Sequence, residues 1–408
     1  MKTQRSDAPR TRLRVGLVWQ SALSTNLGLV ALAQSNRAIV IEEAKALGLD
    51  VEIVFFSAKV AAGAESEANI GDRFVLLSRN MLSPAGMLRA RRELDACDML
   101  FDIGEGDSFS DIYGWLRFVK VAATKFLVSD SAEKLILSPQ TIGPFYNPVA
   151  KRIAAAAMKR VRHVFARDDI SFARAADMLP ANAHLTQTAD IAFELPVRAT
   201  WPESFPMLSS DRVNVGLNVS GLLARGGYSG QNQFKLSLDY SDLVDRLCAA
   251  FSAMEGVQLW LVPHVHNSAA ASIESDRSVS LEVVSRHPGV EVAPAFRSAS
   301  DAKTFISKMD FFAGARMHAT IAAVSTGVAC IPMSYSPKFE GLYKSIGYPH
   351  VLPLTSASAD EGYNAVMQGF HDRVKLSHQA KISAVTAKDS IAAFRSVVSA
   401  SLRDAAAR

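Results

Sequence analysis

The stretch DFFAGARMHATIAAVSTGVACIPMS, at positions 310–334, contains the pattern that decides the fold. A short apolar run, Asp310–Gly314, leads into a helical pattern at Met317–Ser325, and a second apolar run follows at Ala329–Ser334. Runs of this kind are apolar on both faces, as the strands of a parallel sheet covered by helices must be. A strand, a helix and a second strand in this order predict one βαβ unit with a right-handed crossover.

The same alternation extends over most of the chain. The other predicted strands are Val15–Gln20, Val51–Phe56, Phe74–Ser78, Met99–Ile103, Leu135–Ser138, His163–Ala166, Val213–Val219 and Val257–Val262. Helices are predicted between strands, at Ala31–Leu47, Val149–Val161, Tyr240–Met254, Ala269–Ser285 and Lys338–Ile346. The proline-rich stretch Pro196–Arg212 interrupts the series and is typical of a linker. We therefore predict an α/β fold with two Rossmann-like domains facing a cleft, at residues 15–200 and 213–375, with a linker at 201–212.

The two ends of the chain predict segments outside these domains. Residues 1–14 are typical of a flexible basic tail because they contain Lys2, Arg5, Arg10, Arg12 and Arg14. The functional alternative is that this tail is weakly attracted to an anionic membrane surface or to a lipid-phosphate substrate. Residues 376–408 are expected to form an amphipathic helix that packs on the domain seam. Its apolar stripe is predicted to contain Val385, Ile391, Phe394, Val398 and Leu402.

Composition excludes several classes of protein. The 408 residues are 49% hydrophobic with a formal charge of +4, which is typical of globular proteins and too small an excess to indicate nucleic-acid binding. Three well-separated cysteines, Cys97, Cys248 and Cys330, fit reduced thiols better than a disulfide framework or a zinc site. The apolar run near the amino terminus is too short to span a bilayer. We expect a cytoplasmic protein; the alternative is a protein bound peripherally to the inner face of the membrane.

Ligands of parallel α/β sheets bind beyond the carboxyl ends of the strands, so the residues that follow each strand are the site candidates. One predicted strand is followed by the turn Gly104–Asp111, where Gly106 allows a ligand to approach the backbone and Ser108 offers a hydroxyl. Asp111 is a candidate acid. It is equally suited to cap a helix that opens near Ile112.

Two further strand ends in the first half carry polar residues. Gln140 follows one strand in a loop punctuated by proline and glycine; the alternative is a rigid turn with no binding role. Arg167 follows the next strand, where a guanidinium suits bidentate capture of a carboxylate or phosphate, with Ser171 close by. Asp168 or Asp169 is expected to cap the next helix, and pairing with either acid would make Arg167 purely structural.

The second half carries the strongest site signal. Arg316 and His318 open one helix directly after a strand, Tyr335 and Lys338 open the next, and His264 follows a third strand. Helix amino termini and several cations at neighbouring strand ends predict a site for a small, multiply charged anion. Each residue taken singly is more often structural. A metal site at histidines 264, 266 and 318 is disfavoured, because no carboxylate or thiolate sits beside them at ligand spacing.

These segments resemble the polysaccharide pyruvyl transferase family over most of the chain, from the first strand to about Gly347. The likeness rests on the order and strand-end placement of the motifs Gly104–Asp111, Pro139–Phe145, Ala166–Ser171, Ala189–Phe193, Val262–His264, Arg316–His318 and Tyr335–Lys338. The resemblance implies a fold like that of two-domain GT-B glycosyltransferases, with phosphoenolpyruvate as the donor.

The resemblance also assigns roles and exposes departures. The family's donor-binding Arg, His and Lys fall on Arg167, His318 and Lys338. The family's early Asn-x-Gly-Asp pattern reads Asn26-Leu27-Gly28-Leu29 and so loses its acid, and Glu105 stands where the family usually has a small residue. The acceptor side is therefore expected to differ from the family pattern.

These observations predict transfer of a pyruvyl group from phosphoenolpyruvate to a sugar of a polysaccharide, glycolipid or lipid-linked precursor, forming a ketal. His318 or Asp111 would be the catalytic acid, and no metal or redox cofactor is expected. The predicted substrate-binding residues are Arg167, Lys338, Arg316, Tyr335, His264, Gln140, Gly106, Ser108 and Ser171. The alternatives are a nucleotide-sugar-dependent glycosyltransferase and a non-catalytic carbohydrate-binding homologue. Whether the chain forms a homo-oligomer stays open.

Overall fold

The computed structural model describes residues 11–58, 71–77, 79–266 and 272–408, and these residues form two sheets. The strands of the first sheet are β1 (Arg12–Val18), β2 (Asp50–Ser57), β3 (Arg73–Leu76), β4 (Met99–Asp102), β5 (Leu135–Gln140), β6 (His163–Ala166) and β7 (Leu185–Gln187). Their order across the sheet is β3-β2-β1-β4-β5-β6-β7, and every described pair is parallel. The carboxyl ends of all these strands therefore lie along one edge.

Helices cover both faces of the first sheet. They are α1 (Leu27–Ala46), α2 (Pro84–Asp95), α3 (Trp115–Leu127), the single turn α4 (Ser131–Lys134), α5 (Pro148–Met158) and α6 (Asp169–Met178). On one face, buried residues of α2, α3 and α5, such as Leu94, Phe118 and Ala154, pack with Phe56 and Leu100 of the sheet. Helix α1 belongs to a separate apolar core on the opposite face. This double coverage explains why the strands are apolar on both sides.

The second sheet repeats this plan. Its strands are β8 (Val213–Asn218), β9 (Val257–Leu261), β10 (Glu291–Val292), β11 (Phe311–Gly314), β12 (Ala329–Ser334) and β13 (Leu352–Pro353), in the parallel order β10-β9-β8-β11-β12-β13. Its helices are α7 (Gly221–Ala224), α8 (Tyr240–Ser252), α9 (Asp276–Val284), α10 (Ala299–Ile306), α11 (Met317–Ser325), α12 (Pro337–Ser345) and α13 (Ala359–His371). The predicted α/β class, with two Rossmann-like sheets, is confirmed.

The last helix, α14 (Arg373–Ala406), is 34 residues long and crosses from one sheet to the other. It packs against α11 and β12 in the second half and against α1, β1 and β4 in the first. Phe394 lies between Phe101 and Phe165, with ring centroids 6.3 and 5.1 Å away. A carboxyl-terminal helix thus completes the core of the amino-terminal sheet.

The predicted apolar stripe of α14 is wrong at Val385, whose side chain is 58% exposed. The buried positions follow helical spacing through small residues instead, at Ala380, Ala384 and Ala387, before reaching Ile391. Position 385 lies about 100° away from this line. Alanine carries little apolar area and so gives a weak signal of burial in the sequence. In the structure, these small side chains let the helix approach its neighbours closely.

Two further expectations need correction. Arg12 and Arg14, assigned to a flexible tail, lie in β1, where the backbone N–H of Arg14 donates to Asp98 and its side chain pairs with Glu52 at 3.1 Å. The arginines alternate with buried apolar residues, which is the pattern of a strand. Residues 1–10 lie outside the described residues. The helix predicted at Ala269–Ser285 begins at Asp276, and 267–271 are also outside.

No helix within the described ranges is long and apolar enough to cross a membrane.

Replacing Phe394 by Ala tests whether α14 is part of the amino-terminal core. The ring is fully buried, so its removal should lower the free energy of unfolding by about 3–5 kcal/mol. The matched change Val385→Ala, on the exposed side of the same helix, should alter it by less than about 0.5 kcal/mol. Urea unfolding followed by circular dichroism measures both; equal effects would contradict the packing described for α14.

Candidate functional site

Three of the residues predicted from sequence, Arg167, His318 and Lys338, converge where the carboxyl ends of the two sheets face each other. Arg167 leaves β6 of the first sheet, whereas His318 and Lys338 lie in the first turns of α11 and α12 in the second. Two carboxylates of the first half connect them. Asp190 binds Arg167 and lies close to His318, while Asp107 binds Lys338.

Asp190 is the fully buried centre of this cluster. One of its oxygens, Oδ1, accepts a hydrogen bond from the backbone N–H of Ala192 and caps a short 3₁₀ turn. The other, Oδ2, accepts from Arg167 Nη1 at 2.9 Å and lies 4.0 Å from His318 Nε2. Capping fixes the orientation of the carboxylate, so that its second oxygen binds Arg167 and faces His318 of the other half. Sequence analysis quoted this residue within a motif but gave it no role.

His318 has a buried imidazole with little room around it. A Cβ at position 28 would lie 2.6 Å from His318 Nδ1, so only glycine fits against the ring. Gly28 is held there because its N–H donates to Asn26 Oδ1, which caps α1. Burial lowers the pKa of His318, and this outweighs the opposing attraction of Asp190. The ring is therefore neutral at pH 7, and its Nε2 makes no hydrogen bond within the described residues.

Lys338 reaches across the cleft to Asp107. Its Nζ lies 2.8 Å from Asp107 Oδ2, which also accepts from the hydroxyl of Tyr113 at 2.6 Å. Burial by itself would raise the pKa of Asp107, but Lys338, Tyr113 and Arg167 together hold it below its ordinary value. The carboxylate therefore stays ionised. The sequence gives no sign of a role for Asp107, because its partner Lys338 is 231 residues away, nor for Tyr113, which acts through Asp107.

A buried ion pair fixes the glycine turn that carries Asp107. Lys125 Nζ lies 2.6 Å from Asp102 Oδ2 with both side chains inaccessible, and Asp102 Oδ1 accepts from the N–H of Gly104. Burial raises the pKa of Asp102 and lowers that of Lys125. Gln140 Nε2 donates to the carbonyl of Asp102 at 2.7 Å. The amide nitrogen of Gln140, a predicted ligand, thus supports the turn, whereas its Oε1 makes no hydrogen bond within the described residues.

Gly106 and Ser108 lie in the same turn and have different surroundings. Gly106 has φ +83°, and a Cβ there would lie 2.6 Å from Leu32 Cδ1 and 3.4 Å from Arg167 Nη1. Its backbone therefore approaches the Arg167 guanidinium directly. Ser108 Oγ accepts two hydrogen bonds from Arg117, at 3.1 and 2.7 Å. The Ser108 hydroxyl, a predicted ligand, thus binds Arg117.

Arg316 does not point to the Asp190 cluster. Its guanidinium binds the buried carboxylate of Asp276, with Nη2 2.8 Å from Oδ1, and donates to the carbonyl of Glu274 at 3.0 Å. Asp276 also accepts from the backbone N–H groups of Gly221 and His264. The pair therefore braces three strand-end loops. Sequence analysis missed this because it assigned Asp276 to the interior of a helix.

His264 and Tyr335 lie beside these groups. Burial holds the pKa of His264 well below its ordinary value, with His318 contributing further, so this ring is also neutral. Neither of its nitrogens makes a hydrogen bond within the described part of the chain. Tyr335 packs edge-on against Phe234 at 5.0 Å, and burial raises its pKa. No three His, Cys, Asp or Glu residues in the described ranges are arranged to hold a metal ion.

The remaining two candidates have backbone partners. Asp168 caps α6 as expected, accepting from the N–H of Ser171, while Ser171 Oγ is buried without a described hydrogen bond. Asp111 accepts from the N–H groups of Tyr146 and Asn147, at 3.0 and 2.7 Å. The expected helix at Ile112 is wrong, because α3 begins only after a glycine at φ +92°. Asp111 therefore joins two surface loops and does not cap a helix.

The two ion pairs of the cleft should differ in their effect on stability. Asp190→Ala leaves the buried Arg167 uncompensated and should lower the free energy of unfolding by about 3–5 kcal/mol. Lys338→Met removes a partly exposed charge, and Asp107 keeps its bond to Tyr113, so the loss should stay within about 1 kcal/mol. Chemical denaturation of both variants gives the comparison. A tolerant Asp190→Ala would mean that Arg167 is not held as described.

The fold has solved relatives whose sequences have diverged widely. Structures that superpose over nearly the whole chain include S. aureus MnaA with UDP (TM-score 0.58, 13% identity, 94% of this chain and 95% of that one). Anabaena HepE with UDP-glucose superposes with a TM-score of 0.54 at 12% identity, over 96% of this chain and 100% of that one. Sucrose-phosphate synthase from Thermosynechococcus elongatus superposes with a TM-score of 0.53 at 10% identity, over 96% of this chain and 99% of that one. At such identities the likeness concerns the GT-B-like fold alone.

Sequence comparison identifies the family. No curated protein sequence matches the chain. The profile described as polysaccharide pyruvyl transferase matches residues 38–337, which is most of the chain; the match includes Asp107, Arg167, Asp190 and His318 and ends one residue before Lys338. The chain therefore belongs to the polysaccharide pyruvyl transferase family and has a GT-B-like fold.

Proposed function

We propose that the protein transfers a pyruvyl group from phosphoenolpyruvate to a carbohydrate acceptor, forming a pyruvate ketal. One observation carries the proposal: Arg167, Lys338 and the imidazole of His318 converge from both halves of the chain on one cleft. A donor with a carboxylate and a phosphate presents two anionic groups, and two cations on opposite sides of a cleft can hold one each. Arg167 suits the planar carboxylate, and Lys338 suits the phosphate as a point charge.

The charge of the cluster explains how an acid can be generated there. Before donor binding, Arg167 and Lys338 are balanced by Asp190 and Asp107. A donor with at least two negative charges makes the site net negative, which favours protonated His318 and raises its pKa. The imidazole that burial keeps neutral then carries a proton next to the bound donor. Asp111 is less suited to this role, since backbone N–H groups occupy both its oxygens.

The reaction then follows from these positions. Protonated His318 delivers its proton to the methylene carbon of the donor, which creates an oxocarbenium-like centre at the neighbouring carbon. A sugar hydroxyl attacks that carbon and loses its proton to His318, which the first step has left neutral. Phosphate then leaves with the bonding electrons, and a second hydroxyl of the same sugar attacks the same carbon and loses its proton to the departing phosphate, which closes the ketal. A positioned acid contributes about 10²–10⁴-fold to such a step. The fixed cations stabilise the charge on the departing phosphate. The reaction involves no net oxidation or reduction, so it requires no redox cofactor. The proposal also includes no metal.

The direct experiment is to incubate the protein with phosphoenolpyruvate and a panel of free and lipid-linked glycosides. The expected result is release of phosphate together with a pyruvyl mass gain on one acceptor. Two of the solved relatives are complexes with UDP or UDP-glucose, so nucleotide sugars are the natural comparison. Sugar transfer from a nucleotide sugar, with no turnover of phosphoenolpyruvate, would overturn the proposal in favour of a glycosyltransferase.

Substitutions in the cluster should abolish turnover while leaving the fold intact. His318→Gln and Lys338→Met should each lower kcat/KM at least about 10²-fold, because the first removes the acid and the second a phosphate contact. Lys344→Met, on the exposed side of the same helix α12, is the matched control and should keep full activity. Wild-type rates in both cluster variants would remove the proposed site.

Donor binding should take up a proton. Since the pKa of His318 is lowered in the free protein and rises with the donor bound, binding favours the protonated form. Affinity should therefore increase as pH falls from about 8 to about 6, by up to about tenfold per pH unit. Calorimetry in buffers of different ionisation enthalpy measures the uptake. The His318→Gln variant corrects for titration of the donor phosphate, and an identical pH dependence in this variant would exclude His318 as the proton acceptor.

A further inference from the structure

Exposed apolar side chains are concentrated in one part of the surface. Of the seventeen large apolar residues that are exposed in the described ranges, nine lie between Met87 and Val149. These nine are on or next to the helices α2, α3 and α5, which cover the same face of the first sheet. Scattered single residues of this kind are ordinary, but a concentration on one face indicates a surface that is covered by something.

Six of these residues lie on two neighbouring chain segments, 112–116 and 146–149, and are here called the rim patch. The carboxylate of Asp111 joins the loop before α3 to the loop before α5, and the rings of Trp115, Phe118 and Phe145 follow one another at 5.8 and 5.7 Å. The exposed side chains that these contacts hold together are Ile112, Tyr113, Trp115, Leu116, Tyr146 and Val149. Three aliphatic and three aromatic residues, with up to 79% of the side chain exposed, make the patch strongly apolar.

The helices that carry the rim patch are also strongly basic. Lys125 is buried and paired with Asp102, and without it α2, α3 and α5 together contain seven lysines and arginines but only two acids. The whole chain carries only +4, so the rest of the molecule is net negative. Arg89, Arg91 and Arg92 are exposed on α2, Lys151 and Arg152 on α5, and α3 lies between these helices. Positive charge and exposed apolar area therefore coincide on one face.

We propose that this face docks on an anionic lipid bilayer. Tryptophan, tyrosine and aliphatic side chains enter the headgroup boundary of a membrane, and surrounding basic residues are attracted by anionic lipids. The patch also reaches the active cleft, because Tyr113 donates to Asp107, the partner of Lys338. A protein docked in this way holds the open side of its cleft at the level of lipid headgroups. An acceptor sugar carried on a lipid would meet the site there.

Two other occupants fit the patch less well. A glycan chain would stack on aromatic rings, but it gains nothing from Leu116 and Val149 or from a charge of this size. A second copy of the chain would place two basic faces against each other, which is unfavourable. The bilayer satisfies both the apolar and the charged component.

Sedimentation of the full-length protein with vesicles tests the proposal without any turnover, so the outcome does not depend on the donor. The protein should bind vesicles of phosphatidylcholine with phosphatidylglycerol, bind phosphatidylcholine alone at least about tenfold more weakly, and lose binding as salt is raised. Replacing Trp115 and Leu116 together by Ser should weaken binding about tenfold or more. Changing Arg89, Arg92 and Arg152 together to Gln should have an effect of similar size.

The matched control replaces Val374 and Val385 by Ser, since these residues are also exposed but lie on α14, which packs on the opposite face of the first sheet from the basic helices. It should bind vesicles as the wild type does, and melting curves should show that all variants fold. Unchanged vesicle binding by both sets of patch variants would overturn the proposal. If the protein forms dimers without vesicles and the patch substitutions dissociate them, the face is a dimer interface instead. If the protein binds glycans and the patch substitutions abolish that binding, the face is a glycan site instead.

Discussion

The buried carboxylate of Asp190 is the constraint on which the rest of the site depends. An isolated charge in such a place would be strongly unfavourable, so the cation beside it is a condition of folding. Arg167 supplies that cation from the first half of the chain, and His318 approaches from the second. Because one oxygen of Asp190 caps its own turn, the carboxylate cannot rotate away. Asp190 is thus paired with a cation of its own half and lies 4.0 Å from the imidazole of the other half.

The larger architecture keeps that approach in place. Helix α14 returns from the second sheet and inserts Phe394 into the first, so the lobes share an apolar core as well as a cleft. Next to His318, the chain at Asn26 forms a β-bridge to Val265, and the N–H of Leu27 donates to the carbonyl of His264. These are backbone contacts, which do not depend on the identity of a bound ligand. The cluster is therefore held by packing from behind and by hydrogen bonds at its side.

The strands, the helices and the residues at the strand ends could be predicted from the sequence, because local patterns determine them. Strands and helices repeat with fixed periods, and the strand-end rule then places Arg167, His318 and Lys338 at the facing edges of the two sheets without knowledge of any contact. The partners of these residues could not be predicted, because Asp107 lies 231 residues from Lys338 and nothing local distinguishes it from other turn acids. Arg316 illustrates the same limit: its strand-end position was read correctly, but only the fold reveals that a buried acid holds it.

Glu105, one of the departures from the family pattern, lies in a strained turn. Glu105 is a non-glycine residue at φ +50°, and its N–H donates to Trp19, which has φ +53°. Two such residues in contact store strain of about 1–3 kcal/mol each, which persists only where the surroundings fix them. Glu105 accepts hydrogen bonds from Ser21 and Arg117, and neither belongs to the cluster around Asp190. Glu105 therefore shapes the rim of the cleft beside the Asp190 cluster, and its hydrogen bonds do not involve Arg167, His318 or Lys338. On the proposed chemistry, a change confined to that rim alters which sugar is accepted and preserves how the pyruvyl group is activated.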